Sequence, residues 1–342
     1  MSLNKDTMSI EEFLEEWRDE SPYVRVQTSG STGAPKQMLV EKRRMLASAR
    51  RTNDFLGLQP GDTALLCMSL DYIAGKMMVV RALERNLKLI CVEPSGHPMK
   101  QGDGSFVTSA SDVTKEPSLC YTFAAMVPMQ VYNSLQVAEE RERLREIKHL
   151  IIGGGAIDEA LAEELKDFPH GVWSTYGMTE TLSHIALRRL NGEEASEWYT
   201  PFPSVEVSLS EDGCLVIDAP EVCSERLVTN DIAALDGEGR FRVLGRKDNV
   251  ICSGGLKIQA EEVERQLHPH LREPYLITKR HDARLGEAMV LLTEGSVSEA
   301  RQVCERVLTK YHQPRAYLHV DHIPLTETGK PARRQAELLA KG

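Results

Sequence analysis

The chain has 342 residues, 41% hydrophobic and 27% charged, with a formal net charge of −10 at pH 7. That balance fits about two globular domains and excludes a disordered, collagenous or fibrous chain. The acidic total, with no long Lys/Arg block, excludes nucleic acid as the main partner, and no apolar run approaches the ~20 residues that span a bilayer. Residues 1–20 are acidic and polar, unlike a signal peptide. The seven cysteines are odd in number and include no Cys-x-x-Cys pair, so neither a disulfide framework nor a zinc site is expected, and a cytoplasmic setting fits best. His268-Pro269-His270 is close-set, and its proline marks a turn, so a surface loop rather than a metal site is expected there.

In chain order, Tyr23 to Gln27 reads as a strand that runs into Gly/Ser/Thr, and Gln37 to Glu41 as the strand that resumes after it. Met45, Ala49, Thr52 and Leu56 fall on one face of a helix. A turn from Gly57 to Asp62 leads to a buried strand at Ala64 to Met68, and Leu87 to Val92 reads as another. His149 to Ile152 runs into Gly153-Gly154-Gly155, with Ile157, Leu161 and Leu165 marking the helix that follows. Strands alternating with amphipathic helices indicate an α/β sheet.

The rhythm changes after Pro201. Short strands are expected at Val205 to Leu209, Cys214 to Ile217, Arg226 to Thr229 and Phe241 to Leu244, forming a small β-barrel or meander. An α+β unit follows Gly245-Arg246-Lys247-Asp248. Its helices carry Ala260, Val263 and Leu267, then Ala300, Val303, Cys304, Val307 and Leu308, with strands between them at Tyr275 to Thr278 and Ala288 to Leu292. A boundary near 246–248 gives a small domain of about a hundred residues.

The segment Thr28-Ser29-Gly30-Ser31-Thr32-Gly33-Ala34-Pro35-Lys36 combines two glycines, which let backbone N–H groups turn inward, with hydroxyls and a cation. Such a loop can cradle phosphate. It is not a Walker loop, because Pro35 separates Lys36 from the glycines, and a Ser/Gly-rich hairpin turn is the other reading of the same residues. Four more segments follow: Ser174-Thr175-Tyr176-Gly177-Met178-Thr179-Glu180, Thr229-Asn230-Asp231, Gly245-Arg246-Lys247-Asp248 and Thr326-Glu327-Thr328-Gly329-Lys330. Taken together and in that order, the five resemble the acyl-adenylate-forming superfamily of acyl-CoA synthetases, peptide-synthetase adenylation domains and luciferases.

The resemblance implies an α/β, acyl-CoA synthetase-like large domain at 1–246, with its β-barrel-like part at about 201–245, and a mobile α+β C-terminal domain at 247–342. It implies an AMP-forming acid–thiol ligase that takes ATP, Mg²⁺ and a small carboxylic acid to an acyl-AMP, then passes the acyl group to coenzyme A. Thr28, Ser29, Ser31, Thr32 and Lys36 then hold phosphates. Gly154, Gly155 and Ala156 line the adenine slot, with Tyr176 stacked on the base beside Gly177. Thr179 contacts the α-phosphate and Glu180 holds Mg²⁺, a hard cation that prefers oxygen ligands. Asp231 and Arg246 take the ribose, Asp248 is the hinge, Gly254 and Gly255 border the pantetheine path, and Lys330 holds the carboxylate and α-phosphate.

Within the superfamily, Met68 to Met78, Ile151 to Ile157 and Thr175 to His184 most resemble the o-succinylbenzoate–CoA ligase family of menaquinone synthesis, in a compact form without the usual N-terminal subdomain. Ser69, Tyr72, Lys76, Thr175, Ser183 and His184 are then the candidate acid contacts. Lys76 with Ser183 or His184 is expected at the acid's second carboxylate; a solvated helix residue is the alternative for Lys76. An adenylating enzyme that loads a carrier protein and an inactive nucleotide-binding homologue are the competing functions. No pattern in the sequence encodes the oligomeric state.

Overall fold

The computed structural model describes residues 7–27, 37–100, 105–107, 113–114, 121–155, 157, 159–326 and 331–341. By internal contacts the chain divides into two units, Met1–Glu206 with Asp218–Arg226, and Val207–Ile217 with Leu227–Gly342.

The first unit begins with α1 (Ile10–Arg18), opened by a capping box in which Ser9 and Glu12 satisfy each other's backbone N–H. Its Phe13 and Leu14 are buried. Strands β1 (Tyr23–Gln27) and β2 (Gln37–Glu41) pair antiparallel, so the segment 28–36 joins two paired ends. Helix α2 (Lys42–Phe55) buries Met45, Ser48, Ala49, Thr52 and Asn53, the face its periodicity predicts. Then come β3 (Thr63–Leu66), α3 (Ile73–Arg85), β4 (Lys88–Cys91), β5 (Ser105–Val107) and β6 (Val113–Thr114). They are followed by β7 (Phe123–Met126), α4 (Pro128–Leu135), α5 (Ala138–Arg145), β8 (His149–Ile152), α6 (Glu159–Leu165), β9 (Gly171–Gly177), β10 (His184–Arg189) and β11 (Thr200–Pro201).

These strands form one sheet in the order β11-β10-β9-β8-β7-β3-β4-β5-β6. The run from β9 to β4 is parallel, and the flanking strands are antiparallel. A parallel run buried on both faces needs continuous apolar strands, and Ala64-Leu65-Leu66 and Leu150-Ile151-Ile152 supply them. Leu65, Ala124, Met126, Leu150, Ile152 and Val172 share one core with Val131, Leu144, Leu161 and Leu165 from the covering helices.

In the second unit β12 (Glu206–Leu209), β13 (Cys214–Asp218), β14 (Leu227–Leu235) and β15 (Phe241–Arg246) pair in sequence order. Of the two forms expected, the structure takes the meander. Strand β14 runs through Thr229-Asn230-Asp231, where local sequence indicates a turn, because Asp231 pairs with Arg246 of β15. Strands β16 (Val250–Ser253), β17 (Leu256–Gln259), β18 (Tyr275–Asp282), β19 (Gly286–Thr293) and β20 (Ala316–His319) form a second sheet, covered by α7 (Ala260–Leu267), α8 (Val297–Val307) and α9 (Arg333–Leu339). Ile251, Val263, Leu267, Ile277, Leu291, Ala300 and Val303 make its core. A bidentate pair ties it together: Arg333 donates to both oxygens of Glu264, at 2.9 and 2.7 Å, and also to Ile277 O at 2.8 Å.

Candidate active site

In open α/β sheets ligands bind beyond the carboxyl ends of the parallel strands. Here those ends are the segments 67–72 after β3, 127 after β7, 153–155 after β8 and 177–183 after β9. Gly153 lies so close to β9 that an added Cβ would sit 2.3 Å from Thr175 Oγ1. Gly154 has φ +79°, and Gly155 backs onto Pro128. The glycines therefore lie flat against Thr175 and Pro128. Tyr176 is half-buried, its ring 5.8 Å from that of Tyr199, whose hydroxyl is 2.8 Å from Ser174 Oγ.

Gly177 is a second close approach, since a Cβ there would meet Ser183 O at 2.2 Å. The turn between them is stapled by the buried Thr181, whose hydroxyl accepts from Met178 N–H at 3.0 Å and lies 2.8 Å from Ser183 O. Leu182 takes φ +65°, a conformation a branched side chain adopts only under constraint. Thr179 is half-buried and Glu180 exposed on this turn. Sequence reasoning missed Thr181 and Leu182, because the roles of both are conformational.

The turn delivers Ser183 and His184 into a buried polar file. Ser183 Oγ is 3.2 Å from His184 Nδ1, and His184 Nε2 is 3.0 Å from Thr52 Oγ1 on α2. On the other side Ser183 Oγ accepts from Arg81 Nη2 at 2.7 Å. Arg81, on α3, is 2% exposed. Its Nη1 lies 3.8 Å from Met78 Sδ, and its Nε has no hydrogen-bond partner among the described residues. No carboxylate of the described residues pairs with it. Burial pushes the guanidinium down to about 9, which leaves it charged at neutral pH. Burial, and secondarily the Arg81 charge, holds His184 well below the usual imidazole range and so neutral.

Sequence reasoning also missed Arg81. The signal is an arginine set between Met77-Met78-Val79-Val80 and Ala82-Leu83, where a helix with apolar residues on every side must bury it.

Lys76, the cation expected beside Ser183 and His184, is occupied elsewhere. Its side chain is 3% exposed, and its amine donates to Arg25 O at 2.6 Å, lies 3.6 Å from a Glu16 oxygen and sits 5.3 Å over the Phe13 ring. Five residues on a helix is a rotation of about 140°, so Lys76 and Arg81 leave α3 on different faces. Ser69 Oγ donates to Asp71 at 2.9 Å, and Tyr72 caps α3 and bridges to Gln27.

In the second unit Asp231, Arg246 and Asp248 are brought together. Arg246 donates from Nη1 to Asp231 Oδ1 at 3.1 Å and from Nη2 to Asp248 Oδ2 at 3.2 Å, and Asn230 donates to the same Asp248 oxygen at 3.3 Å. Gly254 and Gly255 form the β16–β17 turn at φ +58° and +87°. Thr28, Ser29, Ser31, Thr32, Lys36, Ala156 and Lys330 lie outside the described residues. Among the described residues no group of three or more His, Cys, Asp or Glu is placed to hold a metal ion. Glu180 offers a single exposed carboxylate, a donor set that fits a magnesium ion carried in on nucleotide phosphates. No helix among the described residues is long and apolar enough to cross a membrane.

A profile of the family described as AMP-binding enzyme matches residues 4–221. The chain is 24% identical to the 2-succinylbenzoate–CoA ligase of Bacillus thuringiensis subsp. konkukian (strain 97-27), over all of this chain and 74% of that protein. Among solved structures it is similar to an acyl-CoA synthetase (AMP-forming)/AMP-acid ligase II-like protein from Dyadobacter fermentans DSM 18053. There the identity is 31%, the TM-score 0.64, and the match covers 97% of this chain and 93% of that one. The o-succinylbenzoate coenzyme A synthetase of Bacillus subtilis, solved with ATP and magnesium, superposes with a TM-score of 0.69 at 22% identity, over 91% of this chain and 69% of that one.

Proposed function

The chain belongs to the AMP-binding enzyme family, and we propose that it is an ATP-dependent acid–CoA ligase whose acid is 2-succinylbenzoate. The acid's carboxylate attacks the α-phosphorus of ATP, giving acyl-AMP and pyrophosphate. The thiol of coenzyme A then attacks the acyl carbon, giving the thioester and AMP. Both steps turn on charge at phosphoryl and acyl oxygens, so the protein's task is to position and neutralise.

In this reading the base lies along Gly154, Gly155 and Ala156 against Tyr176, and the ribose hydroxyls meet Asp231 and Arg246. The loop 28–36, with Lys36, holds the outer phosphates, and Thr179 the α-phosphate. A magnesium ion on Glu180 supplies charge neutralisation of the phosphates when bound. Lys330 holds the carboxylate and α-phosphate during adenylation. The small domain, 247–342, turns about Asp248 to bring Gly254 and Gly255 to the pantetheine arm.

The observation that carries the choice of acid is the buried, uncompensated Arg81 beside Ser183. A buried cation without a counter-ion is costly, and a ligand carboxylate removes that cost. Of the two carboxylates of 2-succinylbenzoate, one is activated and the other is left for Arg81. The names of the relatives support the same acid. The test is AMP release from ATP, Mg²⁺, coenzyme A and 2-succinylbenzoate. Turnover is expected to need both acid and coenzyme A, and to fall about 100-fold or more in Lys330→Ala. AMP formation without coenzyme A dependence would favour transfer to a carrier protein, and no acid-dependent AMP at all would leave an inactive homologue.

A further inference from the structure

The file Thr52–His184–Ser183–Arg81 has a proton direction that the geometry determines. At one end Ser48 O can only accept, so the Thr52 hydroxyl, 3.3 Å away, donates to it. Thr52 Oγ1 is then an acceptor toward His184 Nε2 at 3.0 Å, which places the single imidazole proton on Nε2. His184 Nδ1 is left as an acceptor, so the Ser183 hydroxyl, 3.2 Å away, donates to it. At the other end the guanidinium can only donate, and its Nη2 gives a proton to Ser183 Oγ at 2.7 Å. The arginine end is compatible with that direction, since Ser183 Oγ can accept from Arg81 while its own proton goes to His184, and each hydroxyl and imidazole proton of the file then has an acceptor. In the opposite direction Nδ1–H would point at Ser183 and leave the Ser183 proton without a partner among the described residues.

We propose that Thr52 and His184 are positioning residues that commit Ser183 as an acceptor toward Arg81, so that the acid's second anionic group is read by the remaining guanidinium donors alone. This rests on the reading of Arg81 given above. Ser183 anchors one edge of the guanidinium, and a hydroxyl that is itself donating is the better acceptor. With one Nη2–H given to Ser183 and one Nη1–H turned to Met78 Sδ, the donors left for a ligand are Nε–H and the second N–H of each terminal nitrogen, all on the charged guanidinium. The neutral hydroxyl donor that a Ser183 proton would offer is withdrawn. The file thereby selects a carboxylate over a neutral group at that end of the acid.

Thr52→Val keeps shape and removes the acceptor for His184, and Thr52→Ser restores it. The readouts are the ¹⁵N resonances of the His184 ring and the separate Michaelis constants for acid and ATP. In the wild type the Nε2–H tautomer is expected, and it is expected to persist as pH falls through the ordinary imidazole range. Thr52→Val is expected to lose that tautomer and to raise KM for the acid about fivefold to tenfold, with kcat and KM for ATP within about twofold. Thr52→Ser is expected to recover both. An Nδ1–H tautomer or an imidazolium in the wild type would overturn the proposal, even if Thr52→Val failed to fold. So would an unchanged KM for the acid in Thr52→Val, or an equal rise for ATP. Arg81→Met separates this from the reading beneath it: if it leaves KM for the acid unchanged, Arg81 does not read the acid, whatever the tautomer. If Arg81→Met raises that KM and Thr52→Val does not, the file has no positioning role.

Discussion

Arg81 and Lys76 sit five positions apart on one helix, both buried, and their surroundings give them opposite roles. Lys76 is compensated by Arg25 O and Glu16 and holds the N-terminal segment against α3. Arg81 has a serine, a thioether and an unpartnered Nε. Removing an uncompensated buried charge in favour of an apolar side chain of similar length is neutral or stabilising. Arg81→Met is therefore expected to keep the melting temperature or raise it by about 2–4 °C, while KM for the dicarboxylic acid rises at least about tenfold. Thermal unfolding and steady-state kinetics on the same preparation check both; a melting temperature lowered as far as by a core truncation would make Arg81 a structural residue. Thiol chemistry follows burial in the same way. Cys67 is pushed up to about 12 and Cys304 to about 11, whereas Cys252 is exposed. A brief pulse of a thiol reagent on the folded protein, read by peptide mass, is expected to label Cys252 and to leave Cys67 and Cys304 unmodified.

Among the elements, α1 and the Glu264–Arg333 pair hold the two units' peripheral segments by different means. The Ser9–Glu12 capping box starts α1, and Ser9→Ala is expected to cost about 1 kcal/mol in urea unfolding. Arg333 opens α9 and ties it to α7 and β18 through a carboxylate that burial raises above its ordinary range and Arg333 pulls back. Arg333→Met leaves that carboxylate buried and unpaired, at an expected cost of about 3–5 kcal/mol to the second unit.

Helices of this kind were legible where the pattern is local. Met45, Ala49 and Thr52 mark α2 by spacing, whereas α1 went unread, its Ser9-x-x-Glu12 capping box passing as part of an acidic, polar stretch. Strand β14 was legible only in part, because Asp231 is held in the ladder by Arg246, fifteen residues on. The site divides likewise. Tyr176, Asp231 and Arg246 stand in ordered motifs, whereas Arg81 meets Ser183 across 102 residues and Thr52 meets His184 across 132, pairings that no local pattern encodes.

For the whole molecule, a chain at −10 that takes only anionic substrates must concentrate cations where they bind. Lys36, Arg246 and Lys330, with Mg²⁺, do so for the nucleotide in the proposed reading, and Arg81 for the acid. The buried histidines also set a pH dependence. His184 and His149 are both lowered by burial, so the unfolded chain takes up protons near pH 6.5 that the folded chain does not. Stability is present above that pH and lost as pH falls below it, by up to about 1.4 kcal/mol per pH unit for each histidine. Urea midpoints of the first unit between pH 7.5 and 5.5 are expected to fall accordingly, with the low-pH loss from carboxylate pairs starting only below about pH 5.

In the proposed reading the buried Arg81 selects an acid with a second carboxylate for activation by ATP. The most direct test of that selection is kcat/KM for AMP release with 2-succinylbenzoate and with the analogue that keeps the succinyl carboxylate free for activation but bears a methyl ester on the benzoate carboxylate, in wild type and Arg81→Met. The wild type is expected to prefer the diacid by at least about 100-fold, and the preference to collapse to within a few-fold in the variant. Equal use of both acids by the wild type, or an undiminished preference in Arg81→Met, would contradict it.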